Sequence, residues 1–337
     1  MNKNRCGKHS LIFEQMPVIT AWASVAGKKE SEGPLKHHFD HTEKDTYFGQ
    51  KTWEQAERHM QEMAINTLIK KANISKEKVG LVFSGDLLNQ CIGSSFTLRN
   101  TGFPHLGLYG ACSTMSESLL LGAMAVSGGF ADNVIALTSS HFAASERQYR
   151  FPLGYGGQRT PTAQWTVTGS GAALLCATGS GPRIRSATIG TVVDLGILDA
   201  NNMGAAMAPA ALETIRTHFA DTGTSSDDYD LIVTGDLGQI GKEILLTMAR
   251  AEGINLGGKL TDCGTLVFDT NRQDVHSGGS GCGCSAITLC GYLLNKLQSG
   301  KIKRMLFCGT GALLSPTSSQ QGLSIPGVCH AVSIIGG

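Results

Sequence analysis

The sequence predicts a layered α/β fold built from two similar halves, and three observations carry that expectation. Strand-like apolar runs alternate with amphipathic helical ones, which suits a mainly parallel sheet covered by helices. The signature "LVFSGDL" at 81–87 returns as "LIVTGDL" at 231–237, 150 residues later. The unit "GACSTMSESLLLGAMAVSGGFADNVIAL", from 110, has a counterpart in "CSAITLCGYLLNKLQSGKIKRMLFCGTG", 284–311. A repeat this long marks a duplicated domain, not a solenoid. The expected units are 1–180 and 181–337, with a site at their junction.

Taken in order, "PVITAWASVA" (17–26) reads as the opening strand. Residues 27–49 are polar and read as an exposed loop. Its "HHFDH" (His37, His38, Asp40, His41) is either solvated or a set of metal ligands, and no second ligand cluster supports the metal. Trp53, Ala56, Met60, Met63, Ala64, Thr67 and Leu68 recur at helical spacing, predicting a helix over 50–73. "KVGLVFSGDLL" is a strand running into a loop. A buried helix follows Cys112; Thr114 and Glu117 fit a T-x-x-E capping box, and Gly128 ends it. The glycine-rich strand "GSGAALL" closes the first half, and the second half repeats the pattern to a helix ended by Gly300.

Of the 337 residues, 41% are apolar and 16% charged, enough to bury a core of this size. A net charge of +1 gives no reason to expect nucleic acid as a partner. The ten cysteines sit mostly in apolar runs such as "AALLCATG", which suits reduced thiols better than a disulfide framework. No cofactor is expected. "GGSGCGC" lacks the preceding strand and later acidic residue of a dinucleotide fingerprint, and "GQIGKE" has the wrong spacing for a phosphate loop. No signal peptide is read at the start, and no uncharged apolar stretch reaches the ~18 residues of a membrane span.

Cys112 is the residue with chemistry in question. At a helix start it would lie near unpaired amides and the positive end of the dipole, which lowers a thiol pKa from its free value of ~8.5. Glu117, one turn in, works against this. A nucleophile also needs a base and an oxyanion site, which spacing alone does not supply. Nucleophile, pocket residue and buried structural cysteine all remain open at this point.

The Cys112 segment, in a chain that repeats itself by halves, resembles the thiolase and ketoacyl synthase III superfamily. "TVTGSGAALLCATG", "DVHSGGSGCGCSAI" and "LFCGTGALL" extend the likeness over nearly the whole chain. The resemblance implies a five-layer αβαβα fold of two halves and a homodimer. It gives Cys112 the nucleophile's place, His276 the base's and Cys308 that of a second catalytic cysteine. One departure stands out. The superfamily carries histidine or asparagine after the strand opening the second half, where this chain has Gly235 and Asp236. Loss of such a group costs about 10²–10³ in rate where oxyanion contacts have been removed. His276 also lacks the proline usual after the thiolase histidine. The resemblance thus implies a vestigial site.

"LYGACSTMSE", "GGFADNV", "TSSHF", "ERQYRFPLGYG" and "HSGGSG" are similar to a stage V sporulation branch of that superfamily. That likeness implies binding of dipicolinic acid or its calcium chelate, with membrane proteins of the same operon as partners. It implies a cytoplasmic protein, or a peripheral one at the spore inner membrane. A flat pyridine dicarboxylate wants guanidinium donors and a stacking face. Segment 141–165 offers Arg147, Arg150 and Arg159 among His141, Phe142, Tyr149, Phe151, Tyr155 and Trp165. Ser139 and Ser140 would present hydroxyls beside Cys112. The same segment also suits a dimer interface. Two rival readings remain: a cysteine-dependent acyltransferase or condensing enzyme, and a structural platform for membrane partners.

Overall fold

The computed structural model describes residues 4–149 and 158–337. The first half contributes β1 (Val18–Ala26), β2 (Leu81–Gly85), β3 (His105–Gly107), β4 (Asn133–Ser140) and β5 (Gly169–Cys176). The second contributes β6 (Arg183–Thr188), β7 (Leu231–Thr234), β8 (Leu260–Asp262), β9 (Arg304–Ala312) and β10 (Gly327–Ile335). Their path through the main sheet is β8-β7-β9-β10-β6-β1-β5-β4-β2-β3. Read outward from the middle, both halves run first, fifth, fourth, second, third. The repeat legible in "LVFSGDL" and "LIVTGDL" is therefore a repeat of topology, with β2 and β7 in equivalent places.

The sheet is mixed, not mainly parallel as its alternation predicts. The outer strands pair in parallel, β4 with β2 and β2 with β3, β9 with β7 and β7 with β8. The inner strands run antiparallel, β1 with β5 and β5 with β4, β6 with β10 and β10 with β9. The two halves meet where Arg183 of β6 pairs with Val18 of β1. Every residue of β5 is buried, as expected of an apolar strand covered on both faces.

Helices supply the remaining layers. In α1 (Trp53–Ala72), the Thr52 hydroxyl caps the start by accepting from the Gln55 amide. Its Ala56, Met60, Ala64 and Leu68 share one face and pack on Val82, Ile135 and Leu174 outside the first half. After α2 (Ile92–Leu98), α3 (Thr114–Ser127) and α4 (Phe142–Tyr149) comes α5 (Met203–Thr222). Its Met207, Ala211 and Ile215 join Ile232, Leu306 and Ala331 outside the second half, where α6 (Gly238–Ala251) also packs.

Between the halves lie α3 and α7 (Cys282–Thr288), the latter continued by a π-helical turn, Leu289–Leu293. One core holds Met115 and Leu119 of α3, Ile287 of α7, Ala136 of the first half and Val233, Phe307 and Val332 of the second. Close approach depends on missing side chains: a Cβ on Gly171 would stand 2.5 Å from the Ala286 carbonyl oxygen. The succession is the expected αβαβα.

Segment 27–49 is largely exposed, although Leu35 and Phe48 turn into the protein. Glu30 is fully buried and accepts from the Thr168 amide at 3.0 Å. In "HHFDH", Asp40 takes the Lys71 ammonium and the Ser24 amide. Among the described residues no cluster of three or more His, Cys, Asp or Glu is placed to hold a metal. All ten cysteines are free thiols. Among the described residues no helix is long and apolar enough to cross a membrane.

Candidate functional site

Cys112 lies in a tight turn, Ala111–Ser113, immediately before α3. Ala111 adopts φ +51 there, and the Ser113 and Thr114 hydroxyls turn back onto the Gly110 and Ala111 carbonyls at 2.6 Å. That geometry replaces the expected capping box: the Thr114 hydroxyl is spent inside the turn, and no side chain caps the start of α3. Cys112 is 6% exposed. It lines a cavity of about 320 Å³ between the halves, walled by Leu87, Asn89, Tyr109, Tyr149, Met203 and the Ala312–Pro316 segment.

The thiol's partner comes from the second half. The residue after Gly235, Asp236, is fully buried just beyond β7, beside the Cys112 thiol. Its other contacts are Thr310 Oγ1 at 2.8 Å, the Gly281 amide at 2.9 Å and Ser280 Oγ at 3.3 Å. Burial pushes the Asp236 carboxyl up to about 7. The Cys112 thiol is raised well above its ordinary value, first by burial and then by the negative charge of Asp236. This overturns the thiolate expectation. A helix dipole contributes ~0.3–1 kcal/mol, whereas burial of a charge shifts a pKa by as much as ~3–5 units. At neutral pH Cys112 is a thiol.

The other expected site residues do not gather at the cavity. Ser139 donates to Glu57 at 2.8 Å and accepts from Gln61 at 2.7 Å. Ser140 donates to the Val167 carbonyl at 2.7 Å. His141 is buried against the Thr46 carbonyl at 2.8 Å, and burial lowers its pKa. Cys308, on β9, is buried in the second-half core, in the cluster that also holds Cys329. His276 sits in a surface turn at φ +50, paired with Asp274 at 3.3 Å. It takes no part in the Cys112 lining. Arg147 pairs with Glu54. Arg159 pairs with Asp274 at 2.7 Å and lies 4.9 Å from the Trp165 ring, which stacks on Phe142 at 3.8 Å. Arg150, Phe151 and Tyr155 lie outside the described residues.

Tyr149, one of the rings read in segment 141–165, lines the cavity with Tyr109 and Glu146, which the sequence reading missed. Tyr149 bonds Tyr109 Oη at 2.6 Å and the Leu87 carbonyl, tying α4 to the loop after β2. Glu146 lines the cavity and accepts from Thr166 at 2.8 Å. Asp236, singled out in the sequence as the departure, has a counterpart in the repeat: Asp86 and Asp236 follow equivalent strands, and both are fully buried.

The two repeated halves and the five layers define a thiolase-like fold. Solved structures of that fold superpose along nearly the whole chain. A 3-oxoacyl-[acyl-carrier-protein] synthase III from Aquifex aeolicus matches with TM-score 0.60 and 14% identity, covering 95% of this chain and 99% of its own. Cerulenin-bound OleA from Xanthomonas campestris matches with TM-score 0.61 and 15% identity, covering 96% and 100%. Residues 7–335 match the family described as Stage V sporulation protein AD (SpoVAD), and the chain belongs to it. Stage V sporulation protein AD of Bacillus subtilis (strain 168) is 44% identical over 326 residues, 97% of this chain and 96% of that protein.

Proposed function

We propose that this sporulation protein holds dipicolinic acid, as its calcium chelate, in the Cys112 cavity without transforming it. Uptake into the developing spore and release at germination would follow, with membrane channel partners of the same operon and with the chain as a homodimer. The observation that carries the non-catalytic reading is the contact of Asp236 with Cys112. A buried carboxyl stands where acyl transfer needs a base or an oxyanion donor, and it keeps the sulfur protonated.

The ligand follows from the lining. A cavity of about 320 Å³ falls in the small-molecule range. Leu87, Met203 and Leu314 offer apolar contact for a flat ring, and Asn89, Tyr109 and Ser280 offer polar groups for carboxylates. Among the described residues no lysine or arginine lines it. That favours the chelate, whose metal cancels the carboxylate charge, over the free dianion.

Calorimetry with dipicolinate, with and without calcium, tests this. Binding is expected to need calcium, to survive Cys112→Ala and to weaken about tenfold in Tyr149→Phe, which loses the hydroxyl that holds the wall. No heat at millimolar ligand overturns the reading. An acyl adduct after incubation with acyl-CoA, seen by intact mass and lost in Cys112→Ala, would make the chain an acyltransferase instead.

A further inference from the structure

On the outer face of the first half, α1 and α2 enclose a groove of about 490 Å³ lined by Glu54, Gln55, Arg58, Ile92, Phe96 and Arg99. Two of the lining residues are cationic. The Arg58 side chain is 26% exposed and reaches Glu62 only at 3.7 Å. Its Nε is buried without a hydrogen-bond partner. Arg99 forms no ion pair among the described residues, and its guanidinium is held 4.7 Å from the Phe96 ring. The carboxylate in the lining, Glu54, is already taken by Arg147. Two others are apolar and open: Ile92 is 38% and Phe96 44% exposed.

We propose that this groove binds a small planar carboxylate anion, its ring on Ile92 and Phe96 and its carboxylate between Arg58 and Arg99. Two physical points select that class. A buried guanidinium N–H without an acceptor is costly, and a carboxylate meets the guanidinium fork with parallel bonds. A strongly hydrated inorganic anion would use the arginines and leave Ile92 and Phe96 idle, whereas an aromatic acid uses both kinds of lining.

The groove is distinct from the Cys112 cavity, so this inference stands apart from the function proposed above. The two are neighbours all the same. Asn89 lines the cavity and Ile92 the groove, and between them Gln90 and Cys91 both hold left-handed backbone, at φ +59 and +51. Such conformations persist only where the surroundings enforce them.

Benzene-1,3-dicarboxylate, which lacks the chelating ring nitrogen, is the probe. Titrated calorimetrically into the full chain at low salt, it is expected to fill one site. Arg58→Gln and Arg99→Gln should each weaken it about tenfold or more, and Arg58→Lys should fall between, keeping charge without the fork. Tyr149→Phe should leave it unchanged. Thermal melts of each variant show whether the fold is kept. Undiminished binding in both glutamine variants, loss in Tyr149→Phe, or inorganic phosphate binding as tightly as the diacid overturns the proposal.

Discussion

The Asp236 carboxyl of the second half is buried beside the Cys112 thiol of the first, and its negative charge raises that thiol's pKa. Burial raises both groups, and the Asp236 charge raises the Cys112 thiol further, because a second negative charge beside a buried one is costly. The pair therefore holds a proton that a condensing enzyme would have to remove.

Thiol chemistry should report this directly. Asp236→Asn removes the charge that disfavours thiolate while leaving an amide able to meet Gly281 and Thr310. Alkylation of Cys112 by iodoacetamide, followed by intact mass at pH 7.5, should be slow in the natural chain and at least about tenfold faster in the variant, one pKa unit being a factor of ten. Equal rates would show that burial alone controls the thiol.

Stability should fall with rising pH through the same group. Asp236 and Glu30 are each pushed up to about 7 by burial, against about 4 in an unfolded chain. Between about pH 4 and 7 the folded state binds more protons, so unfolding free energy drops as pH rises, by at most about 1.4 kcal/mol per pH unit for each group. The Asp236→Asn and Glu30→Gln variants should each show a flatter dependence of the urea midpoint across that window. An unchanged slope in both would contradict the assignment.

The turn that carries Asp236 is held by a second buried carboxyl. Asp262 accepts from the Leu237 amide at 2.8 Å, the Gly238 amide at 3.0 Å and Thr234 Oγ1 at 2.8 Å. Asp262→Ala orphans the Leu237 and Gly238 amides, leaves Thr234 only the Thr261 carbonyl at 3.3 Å, and should cost about 3 kcal/mol or more by urea denaturation. A loss below about 1 kcal/mol would mean that the turn holds itself.

The Cys112 turn depends on a neighbour without a side chain. A Cβ on Gly311 would stand 2.8 Å from the Gly110 carbonyl oxygen and 3.1 Å from the Ser113 amide nitrogen. Gly311→Ala should cost about 1–3 kcal/mol in thermal or urea unfolding. It should also alter Cys112 alkylation by displacing the turn. A variant as stable as the natural chain would show that the turn yields freely.

Much of this architecture was legible because it rests on local pattern and repetition. The spacing of Ala56, Met60, Ala64 and Leu68 announced α1, and the recurring "GDL" announced two halves. The site was less legible, because side-chain direction is set by tertiary packing. Ser139 and Ser140 end the strand that points toward Cys112, yet their hydroxyls serve Gln61, Glu57 and the Val167 carbonyl. Three arginines in one segment suggested a shared anion, but nearby carboxylates on Glu54 and Asp274 claim Arg147 and Arg159. Alternation along β9 placed Cys308 and Gly311 on opposite faces, so the glycine, not the cysteine, meets the nucleophile turn.

The π-helical turn Leu289–Leu293 bears on how the two halves diverged. Such a turn accommodates one residue more than an α-helix needs, and α3, its counterpart, has none. Beyond Thr288 the repeats thus fall out of step, as an insertion fixed after duplication would leave them. Shortening this wide turn by one residue would bring the helix back to ordinary pitch, whereas the same deletion in α3 would rotate the Cys112 end off its seat.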